Sequence, residues 1–258
     1  MKQSSSLWRQ LPAQLQWTLV TLLAFLAALM LAWQLLASVN FLYSLWYEVI
    51  DIDQTIATYG PRNRYRHQFE STTKAERVRL FAAIVAAIHD QGKGMDTLSY
   101  HDPAGRVIAG LLTPPEITHL QDVAGLVKTL QRIGWGAWLA LPVLLILAAR
   151  RRLPMPSIGR LMATAAGIFI GVAGIILLIG PVKVFYRLHT WIFPAGHAWF
   201  FYYEESLMTM LMQAPALFGY IALTLAALSL LLFPGLLWLL SRWYCYLVRP
   251  PCRVTTRS

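Results

Sequence analysis

The stretch WTLVTLLAFLAALMLAWQLLASV, Trp17 to Val39, decides the fold. It carries no charged residue over a length that crosses a bilayer's hydrocarbon core, which takes about 20 residues of helix. It is longer than a signal-peptide core, and no small-residue cleavage site follows it. The chain continues instead into SVNFLYSLWYE, with aromatics of the kind that sit at a membrane interface, so the stretch reads as an uncleaved span. Three more segments resemble it: Ile133 to Ala149, Leu161 to Val182 and Ala214 to Leu240. The second is the shortest and contains Pro142, but Arg132 and Arg150 flank it. With 57% hydrophobic and 13% charged residues, the chain is too apolar for an ordinary soluble domain.

Charge orients the spans. The segment before the first span, the loop between the second and third, and the tail after the fourth hold Lys2, Arg9, Arg150, Arg151, Arg152, Arg160, Arg242, Arg249, Arg253 and Arg257, and no acid. All 12 carboxylates lie in the other two loops, where basic residues balance them, so the formal charge of +10 is on one side. The positive-inside rule makes that side cytoplasmic. The expected order is a cytoplasmic tail (1–16), spans at 17–39, 133–149, 161–182 and 214–240, a cytoplasmic loop (150–160) and a cytoplasmic tail (241–258). A cap (40–132) and an aromatic loop (183–213) face outward. The basic residues then mark topology and attract anionic headgroups, which excludes a nucleic-acid reading. Cys245 and Cys252 fall in the cytoplasmic tail, away from any outward disulfide, and their spacing matches no zinc pattern.

Within the cap, Thr73 and Glu76 have capping-box spacing before a helix from Lys74 to about Asp90, with Gly92 as its stop. RNRYRH (Arg62 to His67) is a polar connection, and TLSYHDPAGRVIAGLL predicts two short strands around Asp102-Pro103-Ala104-Gly105. TPPEITHLQDV, Thr113 to Val123, starts another helix, with Thr113 as N-cap, Pro114 at the first position and Glu116 in the capping-box place. Glu116, His119 and Asp122 then share one broad face. Capping accounts for Glu116; it does not account for His119 and Asp122.

The loop after the third span contains Tyr186, Phe193, Trp199 and further aromatics, and Pro194 and Gly196 interrupt it. This suggests a re-entrant or interfacial element. In the third span, Gly167, Gly171 and Gly174 predict a close helix-helix approach. All 6 histidines are in the two outward loops. His67, His89 and His101 sit in polar contexts with ordinary surface explanations, whereas His119 and His189 lie beside predicted spans, where a polar group needs a partner or a task. A metal site from His119, Asp122, His189 and His197 is also compatible with the spacing, although H-x-x-D is common by chance. No nucleotide loop, serine elbow or HExxH occurs.

EITHLQDVAGLV (Glu116 to Val127) resembles a block of the lipoprotein intramolecular transacylase family, in which a histidine, a hydrophobic residue, any residue and Asp-Val precede the second span. FYRLHTWIFPAGHAWFF (Phe185 to Phe201) is similar to that family's second block, a Phe-rich segment with a histidine, then glycine and tryptophan. The likeness covers most of the chain to about Tyr220. It implies an all-α membrane protein of four transmembrane helices, with a small α+β extracytoplasmic cap and an aromatic-rich interfacial or re-entrant loop. The family's Phe-Asp-Pro after the tryptophan is absent here, where FFYYEESLMTMLMQAP stands, and Glu204 or Glu205 is the candidate replacement acid.

Carried over, the resemblance makes His119 and His189 the functional histidines and Asp122 the functional aspartate. Trp199 and Gly196, with Phe193 and Tyr186 of the aromatic loop, become candidates for substrate contact. The implied reaction moves the sn-2 acyl group of a lipoprotein's diacylglyceryl-cysteine to that cysteine's α-amine. The expected partners are diacylated bacterial lipoproteins and membrane lipid, at the outer leaflet of the bacterial inner membrane, with no nucleic acid and no obligate protein partner. Aminolysis of an ester needs one proton taken from nitrogen and one given to the departing alkoxide, and imidazole titrates in the right range for both. No cofactor, nucleotide or metal is needed. The first assignment makes His119 the base, oriented by Asp122, and His189 the group that polarises the carbonyl or protonates the leaving oxygen; sequence cannot order the two. A non-enzymatic envelope protein pinned by its histidines, and a metal-dependent membrane lipid hydrolase, remain as alternatives.

Overall fold

A computed structural model of the chain describes residues 4–248. In chain order the helices are α1 (Ser4–Ser38), α2 (Tyr43–Val49), α3 (Ile52–Tyr59), α4 (Lys74–His89), α5 (Pro114–Arg150), α6 (Ile158–Ile179), α7 (Pro181–Ile192), α8 (Leu207–Met212) and α9 (Ala216–Val248). Strands β1 (Ser99–His101) and β2 (Val107–Gly110) pair antiparallel between α4 and α5. Within α1, α5, α6 and α9 lie 4 segments long and apolar enough to cross a membrane. Cys252 and the basic residues Lys2, Arg249, Arg253 and Arg257 lie outside the described residues; Cys245 is exposed and unbridged.

Two compact units account for the described chain. Of the described residues, the first draws on 4–32, Ile133–Leu178 and 227–248. Its core forms where α1 presents small residues (Ala24, Ala27 and Ala28) to Leu141, Leu145 and Ala148 of α5 and Phe233 and Leu237 of α9. The Trp17 and Tyr244 rings meet edge to face at 5.1 Å. Gln16 lends its amide to the Leu144 carbonyl at 2.9 Å, which satisfies a polar side chain inside an apolar bundle. The expected close approach at Gly167, Gly171 and Gly174 does not occur, because a Cβ added at any of them would meet nothing within 4 Å. The close approach is at Gly134, where an added Cβ would fall 2.7 Å from Met30 Cγ.

The second unit draws on Trp33–Arg132 and Ile179–Ala226. Asn40, Phe41 and Leu42 are all left-handed, with φ of 53°, 51° and 57°, a conformation costing about 1–2 kcal/mol per residue. The turn redirects the chain so that Phe41, Tyr43 and Tyr47 go inward; Tyr43 stacks on Phe81 at 4.0 Å and is fully buried. These aromatics were expected at the membrane interface and instead build the core of this unit. Buried Arg77 donates to Tyr47, Thr72 and the Glu70 carbonyl and pairs with Asp53, so its charge is fully engaged.

Helix α4 keeps its predicted start, with Thr73 accepting from the Glu76 amide, while the Glu76 carboxylate turns away to Arg79 and His101. Burial works against that carboxylate, but the Arg79 and His101 hydrogen bonds hold it at about 2. At the other end Gln91 takes the left-handed position, and Gly92 donates to the Ala87 carbonyl. The hairpin forms as predicted, Gly105 supplying the positive φ of its turn. Near the end of the segment predicted as an aromatic loop (183–213), α8 forms a short helix whose residues are all buried. Tyr43 donates to the Leu211 carbonyl at 2.7 Å, tying α8 to α2.

Candidate active site

The site is built from the first turns of α5, from α7, and from the chain between α7 and α8. Thr113 and Pro114 start α5 as predicted, but Glu116 does more than cap it. Its carboxylate is fully buried, takes the amide and hydroxyl of Thr113, and accepts the Ser206 hydroxyl from across the unit. Ser206 is in turn the N-cap of α8, accepting from the Thr209 amide at 2.9 Å. One carboxylate thus joins the start of α5 to the start of α8.

One turn on, His119 lies well before the apolar stretch that begins at Ile133. Its ring packs between Phe193 at 5.0 Å and Phe201 at 6.1 Å. Its Nδ1 is buried with no hydrogen-bond partner among the described residues, which is rare for a polar atom in a folded protein. Burial holds this imidazole well below its ordinary range, at about 4; the nearby His189 adds to the depression and the Asp122 carboxylate opposes it.

Helix α7 begins after Gly180, whose φ of 97° ends α6, and Pro181 suits its first turn. His189 is in its last turn. The His189 Nδ1 donates to the Phe185 carbonyl at 2.8 Å, so the neutral ring carries its lone pair on Nε2. Phe185 (4.0 Å), Trp199 (4.9 Å) and Phe193 (5.3 Å) surround the ring, and Tyr186 packs on Trp199. Phe193 therefore touches both imidazoles.

Asp122 does not orient His119. Its Oδ2 accepts from Nδ1 of His197 at 2.7 Å. Gly196 makes this possible: with φ of 92° it closes the turn in which the His197 amide donates to the Pro194 carbonyl, and nothing crowds it. An open cleft of about 380 Å³ lies between Asp122, Gly125, Leu126 and Thr129 of α5 and the Ile192-Phe193-Pro194 segment. The metal set of His119, Asp122, His189 and His197 does not assemble: among the described residues no three His, Cys, Asp or Glu side chains come together as ligands. Glu205, a candidate replacement acid, pairs with Arg64 at 2.8 Å. His89 is held in the fold, donating from Nδ1 to Val85 and accepting the Trp33 indole N–H on Nε2.

The profile of the lipoprotein intramolecular transacylase Lit family matches residues 18–214. The chain belongs to that family. Compared by sequence with curated proteins, it matches none. Among solved structures it is similar to the membrane-integral lipoprotein intramolecular transacylase Lit from Bacillus cereus, at 17% identity and TM-score 0.58, over 92% of this chain and 95% of that one. A second structure of that enzyme, with a histidine replaced by alanine, gives 16% identity and TM-score 0.62, over 95% and 97%. A third, with arginine in place of a histidine, gives 15% identity and TM-score 0.61, over 96% and 97%. At these identities the structures speak to fold, and the profile carries the family. The protein is a membrane-integral lipoprotein intramolecular transacylase with four apolar helices.

Within this transacylase, sequence reasoning missed the Glu116–Ser206 link, the partnership of Asp122 with His197, and α8 itself. A serine ahead of the apolar run LMTMLM is an N-cap signal, so Ser206 and α8 were within reach. The sequence offers His197 only as a metal ligand. Nothing in local spacing pairs residues 75 positions apart.

Proposed function

We propose that this enzyme moves the sn-2 acyl group of a lipoprotein's diacylglyceryl-cysteine onto the α-amine of the same cysteine, at the outer leaflet of a bacterial inner membrane, with both termini cytoplasmic. Diacylated lipoproteins and membrane lipid are its partners, with no nucleic acid and no obligate protein partner. The observation that carries the residue assignment is the pair of imidazoles on Phe193, one with its tautomer fixed by a backbone carbonyl and the other with its Nδ1 buried and unpartnered among the described residues.

This geometry favours exchanging the two roles first assigned. His189, with Nδ1–H engaged, offers Nε2 as the base that takes a proton from the attacking amine. The Phe185 carbonyl then stabilises the imidazolium that forms. His119, kept neutral by burial, donates a hydrogen bond to the ester carbonyl as negative charge develops there, a task that suits a neutral imidazole. The tetrahedral intermediate collapses with loss of the glyceryl oxygen. That oxygen takes back the proton that left the nitrogen, so no acid is consumed. Amine and ester belong to one molecule, so correct placement removes much of the entropic barrier. Asp122 and His197 hold the Phe193–Trp199 segment against α5 and serve as positioning residues; Trp199, Gly196, Phe193 and Tyr186 shape the opening.

The test uses purified protein and a synthetic diacylated lipopeptide, with chromatography resolving the isomeric, N-acylated lyso product. His119→Ala and His189→Ala are each expected to lower turnover about a hundredfold or more, while remaining folded. His101→Ala should stay near wild type. Acetylating the substrate's α-amine should stop the reaction, and a chelator should leave it running. Fatty acid released from the blocked substrate, and suppressed by chelation, would replace this reading with metal-assisted hydrolysis.

A further inference from the structure

We infer that the cleft beside Asp122 is the channel for the migrating acyl chain, and that Gly125 in its α5 wall sets how long a chain fits. The inference rests on the transacylase reading above and adds a binding subsite to it. From Asp122 to Thr129 the α5 wall spans about 10 Å of helix. The facing wall is Ile192, Phe193 and Pro194. Phe193 is shared with the catalytic pair, so a chain seated here begins where an ester carbonyl would meet His119 and His189.

The lining suits hydrocarbon. Three polar side chains of α5 border it: Asp122 is engaged by His197, the Thr129 hydroxyl by the Gly125 carbonyl at 3.0 Å, and Gln121 is exposed, where its amide can reach solvent. No lysine or arginine lines it, so a headgroup phosphate would find no cation there. Gly125 is the gap in the wall: it is exposed, and a Cβ built on it would meet nothing within 4 Å. Glycine inside an exposed helix weakens that helix relative to alanine. Its presence is therefore a local cost that open space along the cleft would offset.

The test has two arms on the purified full-length enzyme. In the first, lipopeptides with a constant sn-1 chain and either a long or a short sn-2 chain are converted by wild type, Gly125→Ala and Gly125→Leu. Each methylene that no longer fits should cost about fourfold, so the long-over-short ratio of kcat/KM should fall about tenfold or more in Gly125→Leu and less in Gly125→Ala. In the second, a lipopeptide with a photoactivatable sn-2 chain should label Leu126 or Ile192 in the wild type, and less in Gly125→Leu. Labelling needs no turnover, so a labelled cleft without product would sink the transacylase reading and keep the channel. Gly125→Ala should melt no lower than wild type, which keeps the test alive if the leucine variant fails to fold. An unchanged ratio, a ratio that follows the sn-1 chain instead, or labelling elsewhere would overturn the inference.

Discussion

Removing the Glu116 carboxylate should loosen the site from its support. Glu116 is fully buried and accepts three hydrogen bonds, from the Thr113 amide, the Thr113 hydroxyl and the Ser206 hydroxyl. Bonds to a carboxylate contribute about 1.5–3 kcal/mol each, but the Thr113 hydroxyl can turn elsewhere, so the sum is an upper bound. Glu116→Ala is expected to cost about 3–5 kcal/mol, the scale for breaking a buried charged network. Glu116→Gln keeps one acceptor and can donate to Ser206, and should cost about 1–2 kcal/mol. Ser206→Ala loses the α8 cap, about 1 kcal/mol, and leaves one carboxylate oxygen unpaired, for about 2–4 kcal/mol in all. The assay is a double-mutant cycle by reversible unfolding in mixed micelles, with turnover measured well below each melting point. The two alanine substitutions should be non-additive by about 1.5–3 kcal/mol, since they remove the same bond from either side. Additivity within about 0.5 kcal/mol would refute the link. Wild-type turnover in folded Glu116→Ala would show that it does not position the histidines.

Other outcomes follow from the same geometry. The folded His119 pKa of about 4 lies below its unfolded value of 6.5, so the unfolded chain binds the extra proton between them; the contribution, at most about 3 kcal/mol, is full above pH 6.5 and lost as pH falls toward 4. His119→Phe should therefore lose less stability than wild type between pH 7 and pH 4.5, and equal losses would count against a buried neutral ring. Cysteine labels at Gly94 and Ala195 should react with an impermeant reagent in intact cells and one at Ser157 should not; a reactive Ser157 label would invert the orientation. Asp122→Asn keeps an acceptor for His197 Nδ1–H and should retain more activity than Asp122→Ala, with the difference in kcat; equal loss in both would give the carboxylate charge a role of its own. Phe193→Ala should release free fatty acid alongside transferred product, detectable by mass spectrometry.

The parts of this fold that could be read in advance are those set by near neighbours. Thr73 and Glu76 mark the start of α4, Pro103 and Gly105 the hairpin, and Thr113 and Pro114 the start of α5, because each signal acts within one turn of its own backbone. The i,i+3 spacing put Glu116, His119 and Asp122 on one face but did not name their partners. Those partners are four residues of a distant segment: Ser206, the Phe193 and Phe201 rings, and His197. Hydrophobicity likewise misplaced Tyr43 and Tyr47, since an aromatic next to a span suits either the interface or a core. Only the left-handed turn at Asn40–Leu42, which non-glycine residues seldom adopt, decides between them. The glycines of α6 repeat at packing intervals, yet the close contact belongs to Gly134, because a pattern on one helix does not specify the opposing one.

The same residues bear on why such a site transfers an acyl group and does not simply hydrolyse the ester. A base able to take a proton from an amine can also activate water, so selectivity must come from what reaches the carbonyl. The intramolecular amine holds a large advantage in effective concentration once it is placed. That advantage survives only if water is kept from the carbonyl while the amine is seated. Around His189 the nearest neighbours are Phe185, Phe193 and Trp199, and around His119 they are Phe193 and Phe201. These rings turn apolar faces and edges toward the imidazoles and so offer water few hydrogen-bonding partners beside the ester. Among the side chains of that shell, the two imidazoles and the indole N–H of Trp199 carry the polar atoms. Phe193 is common to both shells, and the segment carrying it is fastened on either side: through its helical turn to the His189 carbonyl, by the Phe193 amide at 3.0 Å, and through His197 to Asp122. Loosening either fastening should therefore change the division between amine and water before it abolishes proton transfer, because the shell opens while both imidazoles remain.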